Sequence, residues 1–176
     1  MRKVYLLTLS LVLLFIFLAC DQEEASDTVI KEVTVTSKGR AIHSVVKPLE
    51  KNTNSEEGNS FFQSFMAKPD VTIPYVKPGE IIEIKFSSTA PDNYKLTDHI
   101  LKKDGSIKYI KETAELINVE LADKTATFQL DSNMTAFLSS NSKDYELGAT
   151  IRGFRLTGDW LDQTKEITFV IRTDAK

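Results

Sequence analysis

The sequence predicts an all-β protein, an antiparallel sandwich of about seven short strands behind an apolar N-terminal segment. Three observations carry this expectation. From Val29 onward apolar residues recur with a period of two, the mark of half-buried strands. Turn residues separate those runs at fairly even spacing, as a sandwich requires. All five prolines fall between residues 48 and 91, which marks that stretch as strand edges and turns.

Taken in order, "VTVT" places Val33 and Val35 on one side of a first strand. "IIEIKF" turns Ile82, Ile84 and Phe86 inward, with Glu83 and Lys85 outward. "YKLTDHI" aligns Tyr94, Leu96 and Ile100 and sets Lys95, Thr97 and His99 opposite. Asp104-Gly105 then lies between two such runs, a strong two-residue hairpin signal. "INVEL" and "ATFQL" alternate around Asp123-Lys124, and the last strand sets Ile167, Phe169 and Ile171 against Glu166, Thr168 and Arg172. "GATIRGFRL" breaks the alternation. Ala149 and Ile151 are read as inward, and Phe154 and Leu156 as inward after a one-residue slip, which predicts a β-bulge at Gly153. Arg152 and Arg155 then both point outward, toward either an anionic partner or a cross-strand acid such as Glu166. Helix signal is confined to "DSNMTAFLSS", residues 131–140. "KNTNSEEGNS", residues 51–60, reads as a polar loop. "FFQSF" after it, with Phe61, Phe62 and Phe65, reads as a strand or strap over the sandwich or as an exposed contact patch.

The N-terminus bounds the location. Arg2 and Lys3 precede Val4 to Ala19, sixteen almost wholly apolar residues. As a helix they would span about 24 Å, short of the roughly 30 Å hydrocarbon core. A positive start, a short apolar run and a small terminal residue describe a secretory signal. The run ends Phe17-Leu18-Ala19-Cys20, and Cys20 is the chain's single cysteine. One cysteine forms no internal disulfide and fits no Cys-x-x-Cys metal spacing. This ending resembles the lipobox of bacterial lipoproteins, although Phe17 and Leu18 replace the Leu and small residue that the family prefers. The resemblance implies a cleaved signal over 1–19 and acylation of Cys20. It also implies attachment to the outer, extracytoplasmic face of a bacterial cell membrane. Residues 20–28, acidic and without large apolar side chains, read as a flexible lipid-anchored tether. Residues 29–176 read as the sandwich domain.

Composition limits function. The chain of 176 residues has a formal net charge of −3. Loss of residues 1–19 would remove two of its 22 basic residues and none of its 25 acids, which argues against a nucleic-acid partner. No nucleophile-elbow, zincin, Walker or dinucleotide motif is present. Residues 131–144 hold scattered oxygens but not the glycine or final Glu of an EF-hand loop. His99 is predicted outward as a solvated histidine beside an Asp98 that faces the other way. No catalytic residue, metal ligand or cofactor is therefore expected.

Asp144-Tyr145, opening the long penultimate strand, stands where an immunoglobulin-like fold often places its corner tyrosine. In layout the chain resembles the small immunoglobulin-like modules of bacterial surface lipoproteins, without the cysteine pair of antibody domains. That resemblance implies no activity. Trp160 is expected in the loop between the last two strands, as a binding anchor or as a plug for the end of the core. The functional expectation is a non-catalytic binding module for an envelope or extracellular protein, with Trp160, Arg152 and Arg155 as candidate contacts. The alternatives are a small-ligand or glycan binder, which needs an aromatic platform of Trp160 and Tyr145, and, less favoured, a hydrolase or metal-dependent enzyme.

Overall fold

The computed structural model describes residues 32–49, 57–110, 113–161 and 163–175. They belong to one compact unit, Lys31–Lys176. The signal segment 1–19, Cys20, the tether and residues 51–56 of the polar loop lie outside the described residues. No helix among the described residues is long and apolar enough to cross a membrane.

In chain order the elements are β1 (Val33–Ser37), β2 (Arg40–Ile42), β3 (Ser44–Pro48), α1 (Glu57–Met66), β4 (Ile81–Phe86), β5 (Tyr94–Leu101), β6 (Glu115–Ile117), β7 (Glu120–Ala122), β8 (Thr125–Gln129), β9 (Thr150–Trp160) and β10 (Gln163–Thr173). Two 3₁₀ turns, Met134–Leu138 and Ser142–Tyr145, lie between β8 and β9. The strands form two antiparallel five-stranded sheets, ordered β2-β1-β4-β8-β7 and β3-β10-β9-β5-β6. The all-β, two-sheet expectation holds, with ten strands among the described residues where the sequence predicts about seven. Part of the excess comes from three-residue strands too short to show a period. "INVEL" is divided between sheets: Ile117 ends β6 in the second, and Glu120 begins β7 in the first.

The main core fills the space between the sheets. Val33, Val35, Ile82, Ile84, Phe86 and Phe128 of the first sheet meet Leu96, Phe154, Leu156, Ile167, Phe169 and Ile171 of the second. Phe154 stacks on Phe169 with ring centroids 5.0 Å apart and tilts against Phe128 at 5.5 Å. Period-two alternation places each of these on one face.

The second sheet is buried on its other face too. Residues 61–65 form a helix, not a strand, and its Phe62 and Phe65 pack onto Leu101, Ile151 and Val170. Burying each phenylalanine side chain is worth roughly 1.5–3 kcal/mol. This layer overturns two expectations. His99 is not solvated: it is buried, with its ring 5.8 Å from that of Phe62. Nor is there a bulge at Gly153. β9 pairs without interruption, Arg152↔Ile171, Gly153↔Val170 and Phe154↔Phe169 on one side, and Ile100↔Arg152 and Asp98↔Phe154 on the other. Ile151 and Gly153 therefore face the helix, whereas Arg152 shares the inner face with Phe154 and Leu156.

Gly153 is needed for a different reason. A Cβ there would lie 2.6 Å from Cε1 of Phe62 and 2.7 Å from Cδ1 of Leu101. Gly105 closes the expected hairpin as a three-residue loop, not a two-residue one. Its N–H donates to the Lys102 carbonyl (2.9 Å), its φ is +81°, and Leu101 bridges Ile107. A Cβ on Gly105 would meet the helix backbone, 2.6 Å from the Phe62 carbonyl oxygen and 2.8 Å from Cα of Gln63.

Both glycines let α1 sit close, but they yield differently. Gly105→Ala meets backbone at positive φ and should cost about 2 kcal/mol or more. Gly153→Ala meets side-chain ends and should cost about 1–3 kcal/mol as overpacking. In urea titrations, Gly153→Ala should cost less in a Phe62→Ala background, whereas Gly105→Ala should cost nearly the same there. Equal penalties for Gly153→Ala in both backgrounds would show that Phe62 does not close over it.

Candidate binding site

A concavity opens at the end of the sandwich where β5 and β10 finish and β9 begins. It is about 740 Å³ in volume. Met66 at the end of α1, Val71 and Ile73 in the following strap, and Ile151 of β9 supply its apolar lining. Lys103 of the hairpin, Lys143 and Arg172 stand around it, and Leu147 stands over it, 88% exposed. A smaller cavity of about 240 Å³ continues behind Asp144, with Lys102 and Lys108 in its lining.

Polar bonds hold the cleft's walls. Asp144 accepts from Nζ of Lys108 (2.6 Å) and from the Ser139 hydroxyl, which ties the second 3₁₀ turn to the segment after β5. The Lys108 ammonium, with the Ser139 hydroxyl behind it, keeps the Asp144 carboxyl below its usual range. Asp174 bridges the other side, accepting from the Gly148 N–H and from the Tyr75 hydroxyl, both at 2.8 Å. Hydrogen bonding to that carboxylate raises the Tyr75 pKa. The Tyr145 hydroxyl lies 2.6 Å from the Ser139 carbonyl and 3.1 Å from that of Phe137, so the residues that precede it are stitched back onto it.

The fold separates the residues that the sequence singles out. Cys20 lies outside the described residues. Arg152 is not an outward contact. It is 2% exposed and sits between the sheets, with Nε and Nη2 donating to Oδ2 of Asp98 at 3.1 and 2.6 Å. Its Nη1 donates to the Asp131 carbonyl (2.6 Å), and Asn133 donates its amide to the same Asp98 oxygen. Arg155 does face outward, and its Nε pairs with Glu166 of β10. Trp160 ends β9 rather than lying in a loop. Its ring packs edge-on against Phe86 at 6.0 Å, and Nε1 donates to the Thr89 carbonyl (2.9 Å). It plugs the end of the core opposite the cleft. Trp160 and Tyr145 thus stand at opposite ends of the sandwich and share no platform.

Among the described residues no three His, Cys, Asp or Glu side chains gather as a metal site would require. The chain matches no protein-family model and no curated protein. Sequence reasoning missed the cleft because its lining comes from five separated segments. The signals available were Leu147, an apolar residue in the polar run after Tyr145, and the paired Lys102-Lys103 before the hairpin turn.

Two expectations follow. Removing one partner of a buried ion pair costs roughly 3–5 kcal/mol, because the other charge stays buried. Arg152→Ala should lower stability by that much in urea titration, and the double replacement Arg152→Met with Asp98→Leu should recover most of it. Wild-type stability for Arg152→Ala would place the guanidinium in solvent. The Asp144 carboxyl is held below its unfolded value, so its contribution is complete above about pH 4 and is lost as pH falls. Amide protection factors (exchange corrected for its intrinsic pH dependence) at residues 142–148 should therefore fall on acidification before those of the core strands, and Asp144→Asn should abolish that pH dependence.

Proposed function

We propose that the protein is a non-catalytic binding module, anchored by lipid at Cys20 to the extracytoplasmic face of a bacterial membrane. It engages an envelope or extracellular protein at the cleft. The observation that carries this reading is the exposed Leu147 in the cleft lining, with further exposed apolar residues in the loops that follow β5 and β8, although Leu161 at the opposite end is 92% exposed as well. Leu147 is 88% exposed, Met134 70%, Ile110 68% and Leu138 62%. Apolar side chains beside an open cleft characterise protein contact surfaces. The titratable groups of the cleft support the same reading, since Asp144 and Asp174 hold its walls together.

The described residues begin at the end of the sandwich away from the cleft. Glu32, from which the chain runs back toward Cys20, pairs with Lys165 near the start of β10 and accepts at its carbonyl from the Ser87 N–H. Arg172, at the cleft, lies seven residues further along β10, about 23 Å away at strand rise. We also read the sandwich as a relative of immunoglobulin-like modules. The support is Tyr145, whose hydroxyl bonds back to upstream carbonyls as a corner tyrosine's does, although it ends the second 3₁₀ turn, five residues before β9, and does not open that strand as expected.

In cells fed labelled palmitate, the wild-type chain should carry label and Cys20→Ala should not. A photo-crosslinking residue at position 147 should trap a partner protein that the same residue at position 94, on the opposite end, does not. Label in Cys20→Ala removes the anchor. Identical adducts from both positions remove the cleft.

A further inference from the structure

The surroundings of the cleft divide by chemistry. The lining between α1 and β9 is aliphatic, whereas the groups around it are cationic: Lys103, Lys143 and Arg172 at the mouth, Lys102 and Lys108 in the adjoining cavity. Against these five cations stand three carboxylates: Asp144, already paired with Lys108, Glu146, and Asp174, which accepts from the Gly148 N–H in the cleft wall. The whole chain carries a formal charge of −3, whereas at this end the five cations exceed the three acids by two. Such an excess attracts anionic partners over roughly a Debye length, about 10 Å at 0.1 M salt.

Three kinds of anionic ligand differ in what they would use. A free phosphate or sugar phosphate would satisfy the lysines and leave Met66, Val71, Ile73 and Leu147 uncovered. An anionic bilayer is flat and would meet Leu147 and the lysines but not the lining beneath them. A peptide chain carrying both carboxylates and apolar side chains uses both parts at once.

We propose that the cleft receives an extended acidic segment of the partner protein. An apolar side chain is seated between Met66 and Leu147, and flanking carboxylates lie at Lys103, Lys143 and Arg172. The inference rests on the reading of the cleft as the binding surface and adds the chemistry of what enters it. The two parts have separate tasks. The cations set the encounter rate and exclude basic segments, while the aliphatic lining holds the complex once formed. Raised salt should therefore weaken binding without abolishing it.

The test uses the purified full chain and three fluorescein-labelled heptapeptides, followed by anisotropy at about 0.1 M and about 1 M salt. One alternates Asp and Glu with Leu and Phe, the second replaces the acids with Lys, and the third replaces the apolar residues with Ser. The first should bind at least about tenfold more tightly than either of the others. The double variant Lys103→Glu with Lys143→Glu should lose about tenfold or more for that peptide while keeping its melting temperature, since both side chains are exposed. Equal binding of the basic peptide, or an unaffected double variant, overturns the proposal. So does displacement of the acidic peptide by anionic phospholipid vesicles that themselves bind through Lys103 and Lys143, which would assign the surface to a membrane. If position 147 still crosslinks a partner while acidic peptides fail to bind, the cleft stands and only its acidic ligand is wrong. If crosslinking fails as well, both readings fall.

Discussion

The Arg152–Asp98 pair is the interaction on which the binding end depends. It lies between the sheets, where a carboxylate and a guanidinium have lost their water and have regained it only in part through each other. Oδ2 of Asp98 takes donors from Arg152 and Asn133, while Oδ1 has no hydrogen-bond partner among the described residues. An apolar pair of similar volume would cost less to bury. What the charges supply is direction. Through Nη1 of Arg152 the pair fixes the Asp131 carbonyl, and through the Asn133 amide it fixes the cap of the first 3₁₀ turn, whose Thr135 N–H donates to the Asn133 side chain at 2.8 Å. That turn delivers Ser139 to Asp144, and Asp144 holds the cleft wall. A charge pair inside the sandwich thus sets the position of a loop outside it.

The helix on the outer face is the second constraint. α1 can cover β9 only where the strand has no side chain to lift it, and Gly153 is that position. The close approach leaves Phe62 against His99 and Phe65 against His43, with ring centroids 5.8 and 5.4 Å apart. Further along the same face Arg155 and Glu166 pair, and Thr168 donates to Glu166 at 3.3 Å, so these three polar residues meet one another. Met66 at the end of α1 then becomes one side of the cleft, which ties its depth to how closely the helix is seated.

These two constraints also explain what the sequence reveals and what it hides. Strands buried on one face, such as β1, β4 and β10 read from its inner side, show clean alternation, and their inward residues are legible directly. β9 is buried on both faces. Its inner set is Arg152, Phe154 and Leu156 and its outer set includes Ile151 and Gly153, so hydropathy does not separate the two. A slip at Gly153 restores the pattern on paper, but continuous pairing to both neighbours excludes it. The helix is hidden for a related reason. Its first turn begins inside a polar run, and its apolar face consists of three phenylalanines in five residues, a density that also suits a strand. Trp160 is legible as a core plug, the Arg155–Glu166 pair as a cross-strand contact, and Arg152 not at all, because nothing local marks Asp98 as its partner 54 positions away.

The architecture explains why recognition, on the reading proposed above, falls to an end and not to an edge. An exposed strand edge offers backbone groups that any extended chain can pair with, and proteins that avoid such pairing keep their edges short or interrupted. Here β2, β6 and β7 are three residues each, and β3, the remaining edge, ends in Lys47-Pro48, where proline has no N–H to offer. The edges are poor templates. The loops at the cleft end have the opposite character, with exposed side chains of mixed chemistry on a backbone fixed by Asp144, Asp174 and Tyr145. Rigid sheets beneath and polar bonds across the loops leave the side chains of Leu147, Lys103 and Lys143 as the variable parts. Those side chains can change without disturbing the core, whereas Asp144 and Asp174 cannot, since each holds two segments at once.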